Sequence, residues 1–252
     1  REEELARLRS DFVSSVSHEL RTPLAQIRLF LETLRLGRFT TEAQRQWSLD
    51  NIDRETNRLA HLVENILHFA RAGRVASAPA VAESTNLATE IEGIARAFAP
   101  LAASRRASLE LDLAPNVVVP LQREAFRQVL LNLLDNAVKY GPQGQIIRVG
   151  VSQVGSSARV TVSDEGPGVP ASERDAIWTP FFRGNVAPAQ GAGGSGIGLA
   201  IVKDLVAGMG GRISLPEPAC GRGAVFAVEL PGAQRAADAA PVVDGSLSLR
   251  PS

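Results

Sequence analysis

The sequence predicts an α+β fold: an antiparallel helical hairpin that completes itself as a dimeric four-helix bundle, followed by a separate α/β sandwich. Three observations carry this. Two long helical periodicities, split by a short glycine-containing break, fill the chain from Glu2 to Ala72. A stretch of small and polar residues, GRVASAPAVAEST (73–85), then interrupts all periodicity. Beyond it, helical and strand patterns alternate, with the strands mostly arriving as hairpin neighbours, which favours helices gathered on one face over a doubly wound sheet.

In the first element Leu5, Leu8, Phe12, Val16, Leu20, Ile27, Leu31 and Leu34 recur at steps of three, four or seven, the stripe of an amphipathic helix. At ~1.5 Å per residue it would run for roughly 50 Å. Gly37 in LGRFTT suits a left-handed stop. The second helix, about Thr41 to Ala72, carries Ile52, Leu59, Leu62, Val63, Ile66 and Ala70 on one side. A lone hairpin of this kind leaves part of its stripe in water, and pairing with a second copy removes that exposure, so a homodimer is expected.

The second half opens with the helical pattern NLATEIEGIARAFAPLAAS, then the strand patterns ASLELDLA and NVVVPL. The helix REAFRQVLLNLLDNAVKY follows, and QIIRVGVSQV and ARVTVSDEG alternate as two strands of a hairpin around Gly155. A glycine-rich loop, the helix IGLAIVKDLVAGM and the strands GRISLP and AVFAVELP complete it. The expected organisation is a helical hairpin over 1–75, a hinge over 76–85, a sandwich over 86–232 and an unstructured polar tail over 233–252.

Bulk properties exclude little but usefully. Of the 252 residues, 44% are hydrophobic and 21% charged, ordinary for a globular protein. Lys plus Arg (27) equals Asp plus Glu (27), so no broad field favours nucleic acid or an anionic membrane surface. Cys220 is the one cysteine, which excludes an internal disulfide and any multi-cysteine metal site and fits a reducing cytoplasmic setting. No apolar run reaches the ~20 residues of a membrane span. Because the chain opens inside a charged helical pattern, a fragment of a longer protein is expected, with any sensor or membrane anchor upstream.

The first helix holds the first chemically suggestive group. Advancing 100° per residue from Leu5, the apolar stripe lies near 0–80° and His18 at about 220°, on the solvent side. Alone it would read as a solvated surface histidine. Its company argues otherwise: Glu19 can hold one imidazole nitrogen protonated and leave the other nucleophilic, Thr22 shares its face one turn on, and Pro23 bends the rod beside it. His61 and His68 have no acidic or cysteine partner at metal spacing and read as structural.

The stretch FVSSVSHELRTPL, Phe12 to Leu24, resembles the phosphoacceptor box of the sensor histidine kinases of two-component systems. The resemblance implies that His18 takes the γ-phosphoryl group of ATP, that Glu19 acts as base, and that Thr22 positions water for dephosphorylating a response-regulator partner.

Such a kinase needs places for adenine, phosphate and metal. On the helix in LLNLLDNAVKYGP, Asn132, Asn136, Lys139 and Tyr140 fall within about 100° of one another, beside an apolar face of Phe126, Val129, Leu130, Leu133 and Ala137. A carboxamide oxygen is a hard ligand suited to Mg²⁺, Lys139 is a point charge for phosphate, and two mid-helix asparagines have no local benefit to explain them. The segment resembles the family's asparagine box, which implies that Asn136 holds Mg²⁺. In DEGPGVP, Asp164 ends a strand where its carboxylate can accept from an exocyclic amine, and Gly166 and Gly168 permit close backbone approach, with Val169 next to them. This resembles the first glycine box, whose aspartate reads the adenine amino group. IWTPFFRG resembles the phenylalanine box, implicating Phe182 and, for phosphate, Arg183. GGSGIGLAIV places Gly194, Gly196, Gly198 and Leu199 at a helix start, where backbone amides face an anion, and resembles the second glycine box. GRGAVF, from Gly221, resembles the last glycine motif; NVAPAQGA (185–192), in the lid, has no distinctive pattern.

The resemblance runs from about Leu5 to Leu230 and implies a cytoplasmic, homodimeric, ATP- and Mg²⁺-dependent histidine kinase. It would pass phosphoryl groups to a receiver domain, dephosphorylate that receiver as well, bind no nucleic acid, and belong to a protein anchored in the inner membrane. Two rivals stand beside it. A chaperone- or mismatch-repair-type ATPase would explain 86–232 but not the HELRTPL helix. A degenerate, non-enzymatic scaffold would be expected to have lost His18, Asn136, Asp164 or a glycine box, and all are present.

Overall fold

The computed structural model describes residues 2–72, 82–182, 184, 196–218, 221–235 and 248–249. In the two N-terminal helices, side chains are described at 17, 20–56, 59, 60, 63, 66 and 67. The chain divides into two compact units, essentially the helical pair and the sandwich.

The first unit is α1 (Glu2–Arg35) and α2 (Glu42–Ala72). Gly37 stops α1 with φ 61°, and the carbonyls it leaves are taken by Gly37 N–H to Leu34 O (3.2 Å) and Arg38 N–H to Thr33 O (3.0 Å). Those two bonds make a Schellman stop, for which a residue without Cβ is suited. Thr41 caps α2 by accepting from Gln44 N–H at 3.2 Å, while Gln44 Oε1 reaches back to Thr40 N–H at 2.8 Å, a variant of the capping box. Leu20, Pro23, Ile27, Phe30 and Leu34 form the more covered side of α1, and Phe30 meets Trp47 edge-to-face at 5.3 Å. The helix runs through Pro23 without interruption. Beside this seam, Leu24 and Leu31 remain 61% and 46% exposed.

The second unit holds β1 (Glu83–Asn86), α3 (Leu87–Ser104), β2 (Ser108–Leu113), β3 (Val117–Leu121), α4 (Arg123–Tyr140), β4 (Ile146–Val154) and β5 (Ser157–Ser163), then α5 (Gly198–Gly208), β6 (Arg212–Ser214), β7 (Val225–Pro231), β8 (Gln234–Arg235) and β9 (Ser248–Leu249). The main sheet runs β6-β7-β5-β4-β2-β9, and β1-β3-β8 form a small second sheet. All pairings are antiparallel except β2 with β4, joined through β3 and α4 because a parallel pair needs a crossover. The alternation read in the sequence is the burial pattern: Ile147, Val149 and Val151 of β4 and Ala158, Val160 and Val162 of β5 point into the core. The helices return Leu87, Ile91, Phe126, Leu130, Leu133 and Leu134, each at most 1% exposed. Each such side chain contributes about 1.5–3 kcal/mol of burial.

Two segments differ from expectation. The stretch assigned to a hinge through residue 85 ends as β1, paired with β3 from Glu83↔Leu121 to Asn86↔Val118, and Asn86 then caps α3 by accepting from Thr89 N–H at 3.3 Å. Of the tail expected from Ala233, Gln234–Arg235 pair with β3 and Ser248–Leu249 with β2, and the rest lies outside the described residues. All three strands are made by tertiary pairing, which local composition does not report.

Candidate functional site

The site grows from three pieces of the second unit. The first is the last turns of α4. Phe126, Val129, Leu130, Leu133 and Ala137 anchor one face in the core, which leaves the neighbouring face, with Asn132, Asn136 and Tyr140, at the edge of it. Asn132 is 5% exposed, and a Cβ on Gly198, at the start of α5, would lie 3.4 Å from its Oδ1. Gly198 thus lets α5 approach α4 at that point. Asn136 is half-buried, and among the described residues its carboxamide makes no hydrogen bond. Lys139 Nζ lies 5.6 Å from the centre of the Tyr140 ring, within cation–π reach.

The second piece is the loop after β5. Asp164 is 7% exposed, and its Oδ1 accepts from Gly166 N–H (2.8 Å) and Ala224 N–H (3.1 Å). Its own N–H donates to Ala224 O at 3.0 Å, so the start of the GRGAVF strand holds the aspartate by main chain and side chain together. Burial pushes the Asp164 carboxyl above its ordinary range, and the two N–H donors oppose that shift. Among the described residues Oδ2 has no partner. The glycines around it are needed for space. A Cβ on Gly166 would sit 2.9 Å from Asp164 Oδ1 and 3.1 Å from Tyr140 O. Gly168 (φ 75°) would meet Gly223 O at 2.7 Å, and Gly223 (φ 83°) would collide with the Asp164 carbonyl.

The third piece is the segment after that loop. Phe181 takes φ 69°, costly for an aromatic residue by about 1–3 kcal/mol, at the turn that precedes Phe182. Trp178 packs edge-to-face on Phe226 of β7 at 6.1 Å.

Together they enclose a recess of about 110 Å³ lined by Asn136, Tyr140, Asp164, Gly168, Val169, Phe182 and Leu199. That is ring-sized, below the ~300–1,000 Å³ of a whole ligand pocket. Its chemistry suits a flat heterocycle with an exocyclic amine, offering apolar walls and the buried Asp164 carboxylate with a spare oxygen, beside a second buried carboxylate, Glu173. A larger groove, about 700 Å³, lies along α3 and the start of α4, but its central charges, Arg123 and Glu90, already pair with each other at 2.8 Å.

Seven of the residues expected at the site therefore line one recess; Gly166 packs against two of them, Asp164 and Tyr140, and Gly198 packs against Asn132. Gly196 takes φ 68° just before α5. Lys139 meets Tyr140. Arg183 and Gly194 lie outside the described residues. His18 and Glu19 are on α1, with side chains outside the described residues, as are those of His61 and His68 on α2. Thr22 is exposed on α1. Sequence reasoning missed Pro167, Pro170, Glu173, Ile177, Ala224 and Phe226. The alternation of AVFAVELP could have flagged Phe226 as inward-facing; nothing local marked Glu173. Among the described residues no three acidic, histidine or cysteine side chains form a metal site.

Comparison with known proteins gives a consistent picture. Residues 8–74 match the His Kinase A (phospho-acceptor) domain and residues 122–234 the histidine kinase-, DNA gyrase B- and HSP90-like ATPase domain. The alginate biosynthesis sensor protein KinB of Pseudomonas aeruginosa is 32% identical over 89% of this chain and 37% of its own length. The sensor protein SphS of Synechococcus elongatus is 33% identical over 90% and 56%. The chain thus spans about a third to a half of these relatives. Among solved structures, the mycobacterial sensor histidine kinase MprB is 30% identical with TM-score 0.52, covering 60% of this chain and 98% of that one. Full-length ShkA in complex with AMPPNP is 28% identical with TM-score 0.60, covering 89% and 46%. ThkA in complex with the response regulator TrrA, 22% identical with TM-score 0.59 over 92% and 64%, shares the fold.

Proposed function

This chain belongs to the sensor histidine kinases of two-component systems, and we propose that it transfers the γ-phosphoryl group of ATP to its own His18 and from there to an aspartate of a response regulator. The observation that carries the nucleotide half is Asp164: a buried carboxylate held by two backbone N–H groups in an apolar recess, with an oxygen to spare. We assign it to the adenine amino group, with Val169, Ile177 and Phe226 against the ring. Asn136, unbonded and half-buried beside it, is assigned to Mg²⁺. Mg²⁺ would neutralise charge developing on the transferred phosphoryl group. Lys139, Arg183 and the amides at Gly194, Gly196 and Gly198 are assigned to the phosphates.

In the helical pair, Glu19 is assigned as the base that keeps one His18 nitrogen nucleophilic, and Thr22 as the holder of a water for dephosphorylating the receiver. Residues 1–75 are read as the dimerising phosphoacceptor portion, 86–232 as the ATP-binding portion and the segment between as a linker, shorter than composition suggests because Glu83 already pairs in a strand. The exposed leucines of α1 support the homodimer. No helix among the described residues is long and apolar enough to cross a membrane. This portion is read as cytoplasmic, within a longer inner-membrane protein, on the company of relatives named as sensors.

The test is incubation with γ-labelled ATP and Mg²⁺, followed by acid and base treatment. Label lost in acid and retained in base supports a phosphohistidine. No label, or an acid-stable one, contradicts the kinase reading and favours a scaffold.

A further inference from the structure

We propose that Gln145 is a positioning residue for nucleotide binding: its buried amide ties the end of α4, which carries Asn136 and Tyr140, to the loop that carries Asp164. This rests on the reading of Asp164 as the adenine partner.

Gln145 precedes β4 and is 2% exposed, unusual for a long amide side chain. Both ends of the amide are engaged. Nε2 donates to Ala137 O at 2.7 Å, and Oε1 accepts from Glu165 N–H at 3.2 Å. Ala137 is the residue after Asn136, and Glu165 the residue after Asp164, so one side chain spans the immediate neighbours of both assigned ligand groups. Its own main chain is fixed, since Gln145 O accepts from Ser108 N–H at 3.0 Å beside the β2–β4 ladder. The amide is thus a strut standing on the sheet.

The surroundings are shaped to admit it. Gly141, the residue after α4, has an ordinary φ of −78°, so its conformation does not call for glycine. A Cβ there would overlap the Gln145 amide. The missing side chain makes room for the strut. Glu165 is held from a second direction, its Oε2 accepting from Ile146 N–H at 3.3 Å and its Oε1 3.7 Å from Arg148. The tolerance is small. Gly166 packs so closely on the end of α4 that a Cβ would lie 3.1 Å from Tyr140 O, so a loop released from Gln145 has a different set of distances between Asp164 and Asn136. Losing the amide also takes from the part-buried Glu165 N–H its acceptor.

The experiment is calorimetric titration of the whole chain with ATP and with GTP, in Gln145→Met, Asp164→Asn and the double variant. Gln145→Met removes both bonds at nearly constant volume. It is expected to lower ATP affinity roughly tenfold and to narrow the preference over GTP, yet to change affinity by no more than about twofold once Asp164 is Asn. Equal losses in both backgrounds, or equal losses for ATP and GTP, overturn the proposal, because a merely structural residue acts independently of Asp164. If Gln145→Met shows no cooperative melt, Gly141→Ala displaces the strut without altering its chemistry, and Gln145→Glu keeps the bond from Glu165 N–H while losing the donor to Ala137 O. Narrowed selectivity in these two supports the proposal; unchanged selectivity in both overturns it. Asp164→Asn alone leaving ATP preference intact would overturn the adenine reading and the proposal with it, and is told apart because Gln145 is then untouched.

Discussion

The two units bury themselves by opposite means. The sandwich closes on its own: two antiparallel-rich sheets and three helices leave only Val154 among its described large hydrophobics exposed. The helical pair does not. Among the described residues, eight of the nine exposed large hydrophobics belong to it, including Leu24, Leu29 and Leu31 on α1, Leu36 in the turn after it, and Trp47, Val63 and Leu67 on α2, while its most buried polar side chains, Ser48 and Asn51, spend their hydrogen bonds on α2 itself. A domain with a finished core carries its stability within itself. A hairpin with a wet stripe leaves burial undone, and in the proposed dimer its stability would be a property of the assembly. Burial therefore separates the roles of the two units. On the proposed function, the finished one holds the small-molecule site and the unfinished one offers its surfaces to macromolecules.

The sharpest break of this contrast comes from the finished unit. Asn136→Ala removes a carboxamide that bonds nothing among the described residues, so the fold should be untouched while labelling by ATP falls by roughly 100-fold or more. Circular dichroism with a labelling time course checks this, and a variant that unfolds would make Asn136 a structural residue instead. On the other side, Leu31→Asp places a charge on an exposed stripe. The monomer should fold as before, whereas the dimer should weaken by about 100-fold, since a buried unpaired charge costs several kcal/mol. Sedimentation velocity reads the difference. A chain already monomeric at micromolar concentration would show that the stripe faces something else.

The third test sharpens the electrostatics. Burial holds the Asp164 carboxyl above its unfolded value, so the folded state binds that proton more tightly than the unfolded chain. Stability is therefore lost as pH rises from the ordinary carboxylate range through the raised folded value, and at neutral pH Asp164 is a cost to the fold. Asp164→Asn should melt at a higher temperature than the parent at pH 7, with the gap closing toward acid, and should bind ATP about tenfold more weakly. A lower melting temperature at pH 7 would show that the two backbone N–H bonds outweigh burial. Nucleotide affinity in the parent should also fall on acidification, because the protonated carboxyl can donate where it must accept.

The smallest effect is at Thr22. Thr22→Ala should leave labelling and transfer unchanged and slow loss of label from a phosphorylated receiver by roughly tenfold. Unchanged decay would leave Thr22 a helix residue before Pro23.

What was legible in the sequence follows the same division. Helical phase placed Asn132, Asn136 and Tyr140 on one side because α4 has a single buried face to set it, and alternation placed Val149, Val160 and Val162 inward because β4 and β5 each have one wet face. Gly37 and Gly155 announced their turns, both at positive φ. What was hidden depends on partners distant in sequence. Ser84 and Thr85 become a strand only by lying on β3, and Ala224 matters through a backbone N–H that any residue but proline could supply, aimed at Asp164 sixty positions earlier. Gln145 looks like a polar residue at a turn; its burial appears only when Gly141 and Glu165 surround it. Gly223 was seen as part of a glycine motif, but its reason, the clearance over the Asp164 carbonyl, is a contact between distant segments.

The central claim is that the phosphoryl acceptor stands in the unfinished unit and the nucleotide site in the finished one. Replacing His18 by Gln in the full chain and following both ATP binding and labelling tests it most directly. The account predicts parental ATP affinity, a parental dimer and no covalent label. Residual acid-labile label mapping to His61 or His68, or a loss of ATP binding along with the label, would contradict it.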